Sequence, residues 1–128
     1  MPDRSRVVPG SLDSHTHLLH IRDKGLPVTE LLIECGRAGM QAVFDIGVEP
    51  DDLAERLALT DAVRAAAERA GDTLPAIYHT AGLHPGSVDR RWAQRIETLS
   101  HVIRNPPGVV AIGEIGLDYH WDTTFRHE

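Results

Sequence analysis

The chain has 128 residues, of which 41% are hydrophobic and 25% are charged, and its formal net charge is −6. This is the composition of an ordinary folded domain, and the negative charge argues against a broad basic face that grips nucleic acid. A phosphate-bearing substrate stays compatible, because bound divalent metals can supply positive charge locally. No run approaches the roughly 18 apolar residues of a membrane span. Residues 1–10 lack the apolar core of a signal peptide, so we expect a cytoplasmic protein.

Strands and helices are predicted to alternate along the chain. Short apolar or β-branched runs predict four strands, over Leu12–His17, Ala42–Ile46, Ile77–Leu83 and Val109–Ile115. Apolar residues at steps of three and four predict three helices between them, over 27–39, 50–71 and 92–104. The strands start about 30 residues apart, which is the rhythm of βαβ units and a parallel sheet. Four strands correspond either to half of a (β/α)8 barrel or to a small open α/β sheet.

The strongest chemical signal is the run Asp13-Ser14-His15-Thr16-His17 at the end of the first predicted strand. Alternate residues of a strand point to one face, so His15 and His17 are predicted to project side by side. Two imidazole nitrogens in that arrangement can bind one metal ion. Asp13 points the same way and could hydrogen-bond a ligand imidazole. The alternative is a pair of solvated surface histidines.

Glu114 interrupts an otherwise apolar predicted strand. A buried, unpaired carboxylate is costly, and metal coordination would remove that cost. The alternative is that Glu114 lies at an exposed strand end and is neutralised by an arginine. Gly113 and Gly116 weaken a strand, which suggests that something approaches the backbone closely there. Asp118 is better suited to a turn than to the face of Glu114.

His84 is the third candidate, in the run Gly82-Leu83-His84-Pro85. It is predicted at the carboxyl end of the third strand, the edge where α/β barrels place their active sites. Both a substrate or phosphate contact and a capping or loop-packing role remain open for it. His79 is predicted to pack in the core, and Cys35 to be a small buried side chain. The other histidines have no partner at a diagnostic spacing and are predicted to lie at the surface: His20, His101, His120 and His127.

Taken together, the three motifs resemble those of the TatD family of metal-dependent hydrolases. The motifs are Asp-Ser-His-Thr-His, Gly-Leu-His-Pro and Gly-Glu-Ile-Gly-Leu-Asp-Tyr, and the resemblance runs from Leu12 to Tyr119. It implies a TIM-like (β/α)8 barrel, of which residues 1–128 would form the N-terminal half with its first four β/α units. Residues 1–10 would be an N-terminal extension. Several members of the family are deoxyribonucleases.

The resemblance also implies roles for individual residues. His15 and His17 match the first two metal ligands, and Glu114 matches the glutamate that binds or bridges the metals. His84 matches a histidine near the site, for which substrate binding is expected. One or two divalent ions, zinc, manganese or magnesium, would activate a water for attack on a DNA phosphodiester.

Two local departures from the family pattern concern substrate contacts. Leu19 stands where the family usually has Asp or Asn, and Gly86 stands where a second histidine is common. The family's second half supplies two further histidines and an aspartate that do not occur in this sequence. We therefore expect a truncated fragment of the enzyme. A split enzyme completed by a separate C-terminal half is the less favoured possibility.

Two other functional classes remain open from the sequence. One is a non-catalytic half-barrel that binds metal or a partner. The other is a hydrolase of cyclic amides or esters, which differs from the nuclease only in its substrate.

Overall fold

The computed structural model describes residues 7–104 and 108–120, which form two compact units. The first unit contains residues 7–45 and 55–78, and the second contains 46–54, 79–104 and 108–120. The elements in chain order are β1 (Leu12–Thr16), α1 (Leu18–Asp23), α2 (Val28–Arg37), β2 (Ala42–Asp45), α3 (Leu53–Ala70), β3 (Ala76–Ala81), a 3-10 turn (Pro85–Ser87), α4 (Trp92–Arg104) and β4 (Val109–Ile112).

The strands form one sheet in the order β1-β2-β3-β4. In the first unit β1 runs parallel to β2, with Leu12 opposite Ala42 and Thr16 opposite Asp45. In the second unit the last residues of β3 run parallel to β4, with Ala81 opposite Ile112. Parallel strands joined by helices confirm the predicted α/β class, and the sequential order is the one expected of the first units of a (β/α)8 barrel.

The hydrophobic core of the first unit lies between its helices and its strands. Its buried members come from both kinds of element: Leu18, Val28, Leu32, Val43, Val63 and Ile77. Partly buried Ile21, Met40, Leu59 and Leu74 pack against this cluster. Removing these apolar side chains from water is the main favourable contribution to folding here.

Glycines in the left-handed region end the two long helices of the first unit. Gly39 follows α2 with φ 89°, and the backbone amide of Met40 donates to the carbonyl of Cys35 at 3.0 Å. Gly71 follows α3 with φ 68°. Only glycine adopts this conformation without strain from a Cβ atom, which explains the helix ends that the sequence predicted.

A buried ion pair joins β2 to α3 inside the first unit. Asp45 is 0% exposed and Arg56 is 2% exposed. Arg56 Nη1 donates to the Asp45 carbonyl oxygen at 3.2 Å and to Asp45 Oδ2 at 3.3 Å. Asp45 Oδ1 accepts from the backbone amide of Leu18 at 2.9 Å. One carboxylate therefore connects β2 to both α3 and the start of α1.

The sequence missed α1 and placed the ends of all four strands too late, those of β1 and β2 by one residue. β3 ends at Ala81 rather than Leu83, and β4 ends at Ile112 rather than Ile115. β4 ends early because the backbone amide of Glu114 donates to the carbonyl of Gly47 at 2.9 Å, and so leaves the β3 ladder. Three segments lie outside the described residues: 1–6 of the predicted extension, the predicted helix end at 105–107, and 121–128.

Apolar side chains are exposed along and after β4. Val110, Ile112, Ile115 and Leu117 each show more than half of their surface to solvent. Exposed apolar side chains along a strand favour association with another surface. In the part of the chain that the structure describes, no helix combines the length and apolar character needed to cross a membrane.

Gly82 is one of two described glycines, with Gly36, at which an added Cβ atom would meet backbone atoms closer than 3.0 Å. The sequence suggested Gly113 and Gly116 instead. A Cβ atom on Gly82 would overlap the carbonyl oxygen of Glu114 and lie 2.6 Å from the Glu114 nitrogen. At Gly113 a Cβ atom would meet no heavy atom within 4 Å among the described residues. The close approach thus occurs at the end of β3, against the segment that carries Glu114.

We therefore expect Gly82→Ala to lower the free energy of unfolding by about 1–3 kcal/mol, because backbone atoms must move to admit the methyl group. Urea unfolding followed by circular dichroism measures the change. Gly113→Ala is the matched control, since its methyl group would enter open space. Equal stability of Gly82→Ala and the wild type, within about 0.5 kcal/mol, would contradict the close approach.

Candidate metal centre

The imidazoles of His15 and His17 lie side by side at the end of β1. Their Nε2 atoms are 3.2 Å apart, and their ring centroids are 5.0 Å apart with an interplanar angle of 79°. His15 is the last but one residue of β1, and His17 is the N-cap of α1. The predicted juxtaposition of the two rings is therefore present, although His17 lies one residue beyond the strand.

The separation of these two nitrogens fits a shared metal ion. Two nitrogen ligands at about 2.0–2.1 Å from a tetrahedral zinc lie about 3.3 Å from each other. The observed distance of 3.2 Å between His15 Nε2 and His17 Nε2 matches this geometry. The same distance also allows a hydrogen bond between the two rings through these atoms.

Asp13 supports the His15 backbone rather than its ring. Asp13 Oδ1 accepts from the backbone amide of His15 at 3.0 Å. The sequence suggested a hydrogen bond to a ligand imidazole, and the structure places the carboxylate on the amide of the same residue instead. This contact joins two residues of β1, Asp13 and His15.

Glu114 and His84 form a second pair, within the other compact unit. His84 Nε2 lies 3.6 Å from Glu114 Oε1, and the two side chains are 40% and 27% exposed. Glu114 follows β4 by two residues, so the prediction that it lies inside an apolar strand is wrong. It is half-buried in a loop, with the ring of His84 at this distance from its carboxylate.

His84 also caps the 3-10 turn that follows it. Its Nδ1 atom accepts from the backbone amide of Gly86 at 2.9 Å. A neutral imidazole that accepts at one nitrogen carries its hydrogen on the other, so Nε2–H is directed toward the side of Glu114. A Cβ atom on Gly86 would lie 3.1 Å from His84 Nδ1, so a side chain at this position would press on the ring.

The remaining histidines and Asp118 are placed as the sequence predicted, where the structure describes them. His79 is 1% exposed, and three histidines lie at the surface: His20, His101 and His120. Asp118 Oδ1 accepts from the backbone amide of His120 at 2.8 Å, which is a turn contact. His127 lies outside the described residues.

Cys35 lies within α2 and is half-buried rather than fully buried. Its burial, and then the charges of Glu34 and Asp13, raise the pKa of the Cys35 thiol. A thiol that stays protonated at neutral pH is a poor nucleophile. Cys35 is therefore a packing residue, in agreement with the sequence.

A polar cleft of about 320 Å³ lies in the second unit, beside α4. Arg95 Nη1 donates to Glu49 Oε2 at 2.5 Å, and Arg95 Nη2 donates to Asp89 Oδ2 at 3.4 Å. The Arg91 backbone amide, which donates to Asp89 Oδ1, holds the pKa of the Asp89 carboxyl below its usual value. Both arginines of this cleft contact carboxylates, so it does not form a basic face.

Sequence reasoning missed Asp45 and Arg56 as residues that support the pair of histidines. Asp45 Oδ1 accepts from the amide of Leu18, the residue directly after His17. The sequence feature that could have indicated Asp45 is a carboxylate within the apolar run Ala42-Val43-Phe44-Asp45-Ile46. Its partner Arg56 gave no local signal, because it lies eleven residues later on another element.

Comparison with known proteins gives a consistent assignment. The family described as TatD related DNase matches residues 12–128 of the chain. A protein of Escherichia coli (strain K12), described as "Uncharacterized metal-dependent hydrolase YjjV", is 30% identical over 92 residues. The alignment covers 71% of this chain and 31% of that protein, so the chain spans about a third of its relative's length. No solved structure matches significantly. Because the family match extends over nearly the whole sequence, the chain belongs to the TatD-related DNase family of metal-dependent hydrolases.

Proposed function

We propose that the protein hydrolyses DNA phosphodiester bonds, and that His15, His17 and Glu114 bind the one or two divalent metal ions that this reaction needs. The observation that carries the proposal is the 3.2 Å separation of the His15 and His17 Nε2 atoms, which fits two ligands of one ion. The proposed donor set is two imidazoles and one carboxylate, ligand types that can hold such an ion together. This set suits zinc and manganese, and magnesium less well.

The expected chemistry is metal-assisted hydrolysis. A divalent ion lowers the pKa of a bound water and polarises a phosphoryl oxygen. Glu114 contributes the negative charge that neither histidine supplies, and His84 holds a hydrogen on Nε2 that can be donated to a phosphate oxygen. Asp13 fixes the His15 backbone through its contact with the amide. In this proposal His84 binds substrate and Glu114 acts directly in catalysis.

DNA is favoured as the substrate by the description of the matching family. The net charge of −6 argues against a broad basic surface. Among the described residues, Arg95 of α4 is paired with the carboxylate of Glu49. Binding energy for a phosphodiester would therefore come mainly from the ions and from the residues beside them. Such an enzyme is expected to depend strictly on added metal.

The test is cleavage of end-labelled single- and double-stranded oligonucleotides with zinc, manganese or magnesium, and with a chelator. We expect metal-dependent cleavage that His15→Ala or Glu114→Ala lowers by more than about 100-fold, because each removes a group that positions the ion. His101→Ala is the control, since this exposed histidine of α4 is not part of the donor set.

Three outcomes would contradict the proposal in different ways. Cleavage that persists in chelator, or in Glu114→Ala, would show that the reaction does not use this centre. Hydrolysis of a cyclic amide or ester without cleavage of DNA would favour the other substrate class. Metal binding without turnover of any of these substrates would favour a non-catalytic role.

A further inference from the structure

The amino end of α1 is capped by a residue from another strand. His17 occupies the N-cap position with φ −128° and ψ 92°, and among the described residues its imidazole caps none of the helix amides. A cap is normally supplied by the N-cap residue's own hydroxyl, amide or carboxylate oxygen. Here the amide of Leu18 donates instead to Asp45 Oδ1 at 2.9 Å.

This arrangement is compatible with the contact between the rings of His17 and His15. Because the carboxylate of Asp45 accepts the first helix amide, His17 does not need to turn its side chain toward the helix. Its Nε2 atom lies 3.2 Å from that of His15. The peptide that joins His17 to Leu18 is thus fixed by a contact that does not involve the imidazole.

Asp45 is itself buried and contacts a second buried residue. The residue is 0% exposed, and Arg56 Nη1 contacts both its carbonyl oxygen and its Oδ2 atom. Leu18, on the other side of the contact, is 2% exposed and belongs to the core. Hydrogen bonds to charged groups in a water-poor environment are stronger than those at the surface. The position of the His17 backbone is therefore set from the interior of the first unit.

We infer that Asp45, held by Arg56, is a positioning residue that orients His17 toward the metal. The inference rests on the proposed function, in which His17 is a ligand. Residues that orient a ligand from behind typically change metal affinity by 10- to 100-fold when removed. Asp45 would orient His17 through the backbone amide of the next residue, Leu18. A carboxylate that orients a metal-bound histidine more often accepts a hydrogen bond from the imidazole ring.

The experiment measures cobalt(II) affinity and the cobalt absorption spectrum of Asp45→Ala and Asp45→Asn, on protein whose far-ultraviolet circular dichroism equals that of the wild type. Alanine removes the acceptor of the Leu18 amide, and we expect about 100-fold weaker binding with an altered spectrum. Asparagine keeps an acceptor oxygen but loses the charge that pairs with Arg56. We expect about 10-fold weaker binding, a partial rescue. If Asp45→Ala does not fold, the Asp45→Asn result decides.

Val63→Ala separates positioning from general loss of stability. Val63 is 0% exposed in the core of the same unit, so its truncation destabilises the fold without removing a contact to the Leu18 amide. We expect wild-type cobalt affinity and spectrum for this variant.

Folded Asp45 variants with wild-type affinity and spectrum would overturn the inference. His17→Ala is measured in parallel. If it too binds cobalt as the wild type does, the proposed metal centre itself is wrong. If His17→Ala loses the metal while the Asp45 variants retain it, only the positioning role fails.

Discussion

Replacing Arg56 with alanine is expected to lower the free energy of unfolding by about 3–5 kcal/mol. The substitution leaves the Asp45 carboxylate, which is 0% exposed, without the guanidinium that contacts it at 3.3 Å. A buried charge that loses its partner is far less stable than a hydrated one. Since a domain of this kind is stable by only about 5–15 kcal/mol, the variant is expected to unfold at markedly lower urea concentration.

Arg22→Ala is the control that separates the effect of burying an ion pair from the effect of the distance between its charges. Arg22 Nη2 lies 2.8 Å from Glu55 Oε1, closer than the atoms of the buried pair, but the side chains are 40% and 59% exposed. Exposed pairs contribute about 0–1 kcal/mol, so this variant is expected to resemble the wild type. Equal effects of the two substitutions in urea unfolding would show that burial of the Asp45–Arg56 pair does not determine its contribution.

Replacing His15 with alanine is expected to weaken zinc binding by more than about 100-fold, since losing a ligand affects affinity more than losing a residue that orients one. The reason is the paired geometry of the site, in which His15 Nε2 and His17 Nε2 lie 3.2 Å apart and only one of them remains. Competition against a chromophoric zinc chelator measures the affinity without relying on a substrate.

His20→Ala tests whether any nearby histidine would have the same effect. The His20 ring centroid is 5.0 Å from that of His17, yet His20 is not part of the donor set. We expect its removal to change zinc affinity only slightly. A loss in His20→Ala as large as in His15→Ala would argue for an unspecific cluster of surface histidines, the alternative that the sequence left open.

The features predicted best are those encoded by local patterns. Steps of three and four predicted α2, α3 and α4, and the positive φ angles of Gly39 and Gly71 explain why two of these helices end where the sequence indicated. The alternation of His15 and His17 along one strand predicted two adjacent rings, since the period of a strand is two residues. The α/β class followed from the order of these elements.

The features that were missed depend on residues distant in the sequence. α1 has six residues and no local capping side chain, because Asp45 supplies its cap from 27 positions away. No pattern within a short window reveals such a contact, and isolated helices this short are not stable in water. The partner of Asp45, Arg56, is likewise apparent only once β2 and α3 have been placed together.

The surroundings of Glu114 could not be predicted for a related reason. The apolar residues Ile115 and Leu117 continue the alternation of β4, so the pattern indicated a longer strand. The strand ends early because the Glu114 amide donates to the carbonyl of Gly47, and Gly82 leaves room for this approach. The alternation of apolar residues shows which side chains can be buried. It does not show which residue accepts a hydrogen bond from each backbone amide.

The Asp45–Arg56 pair also limits the mutational routes open to this protein. Loss of either residue first leaves a buried charge that has lost its oppositely charged partner in this pair, so single steps away from the pair are expected to be selected against. Loss of Asp45 first would in addition release the amide of Leu18. The two positions should therefore change together or not at all among descendants of this sequence, with a new acceptor for that amide arising in the same lineage.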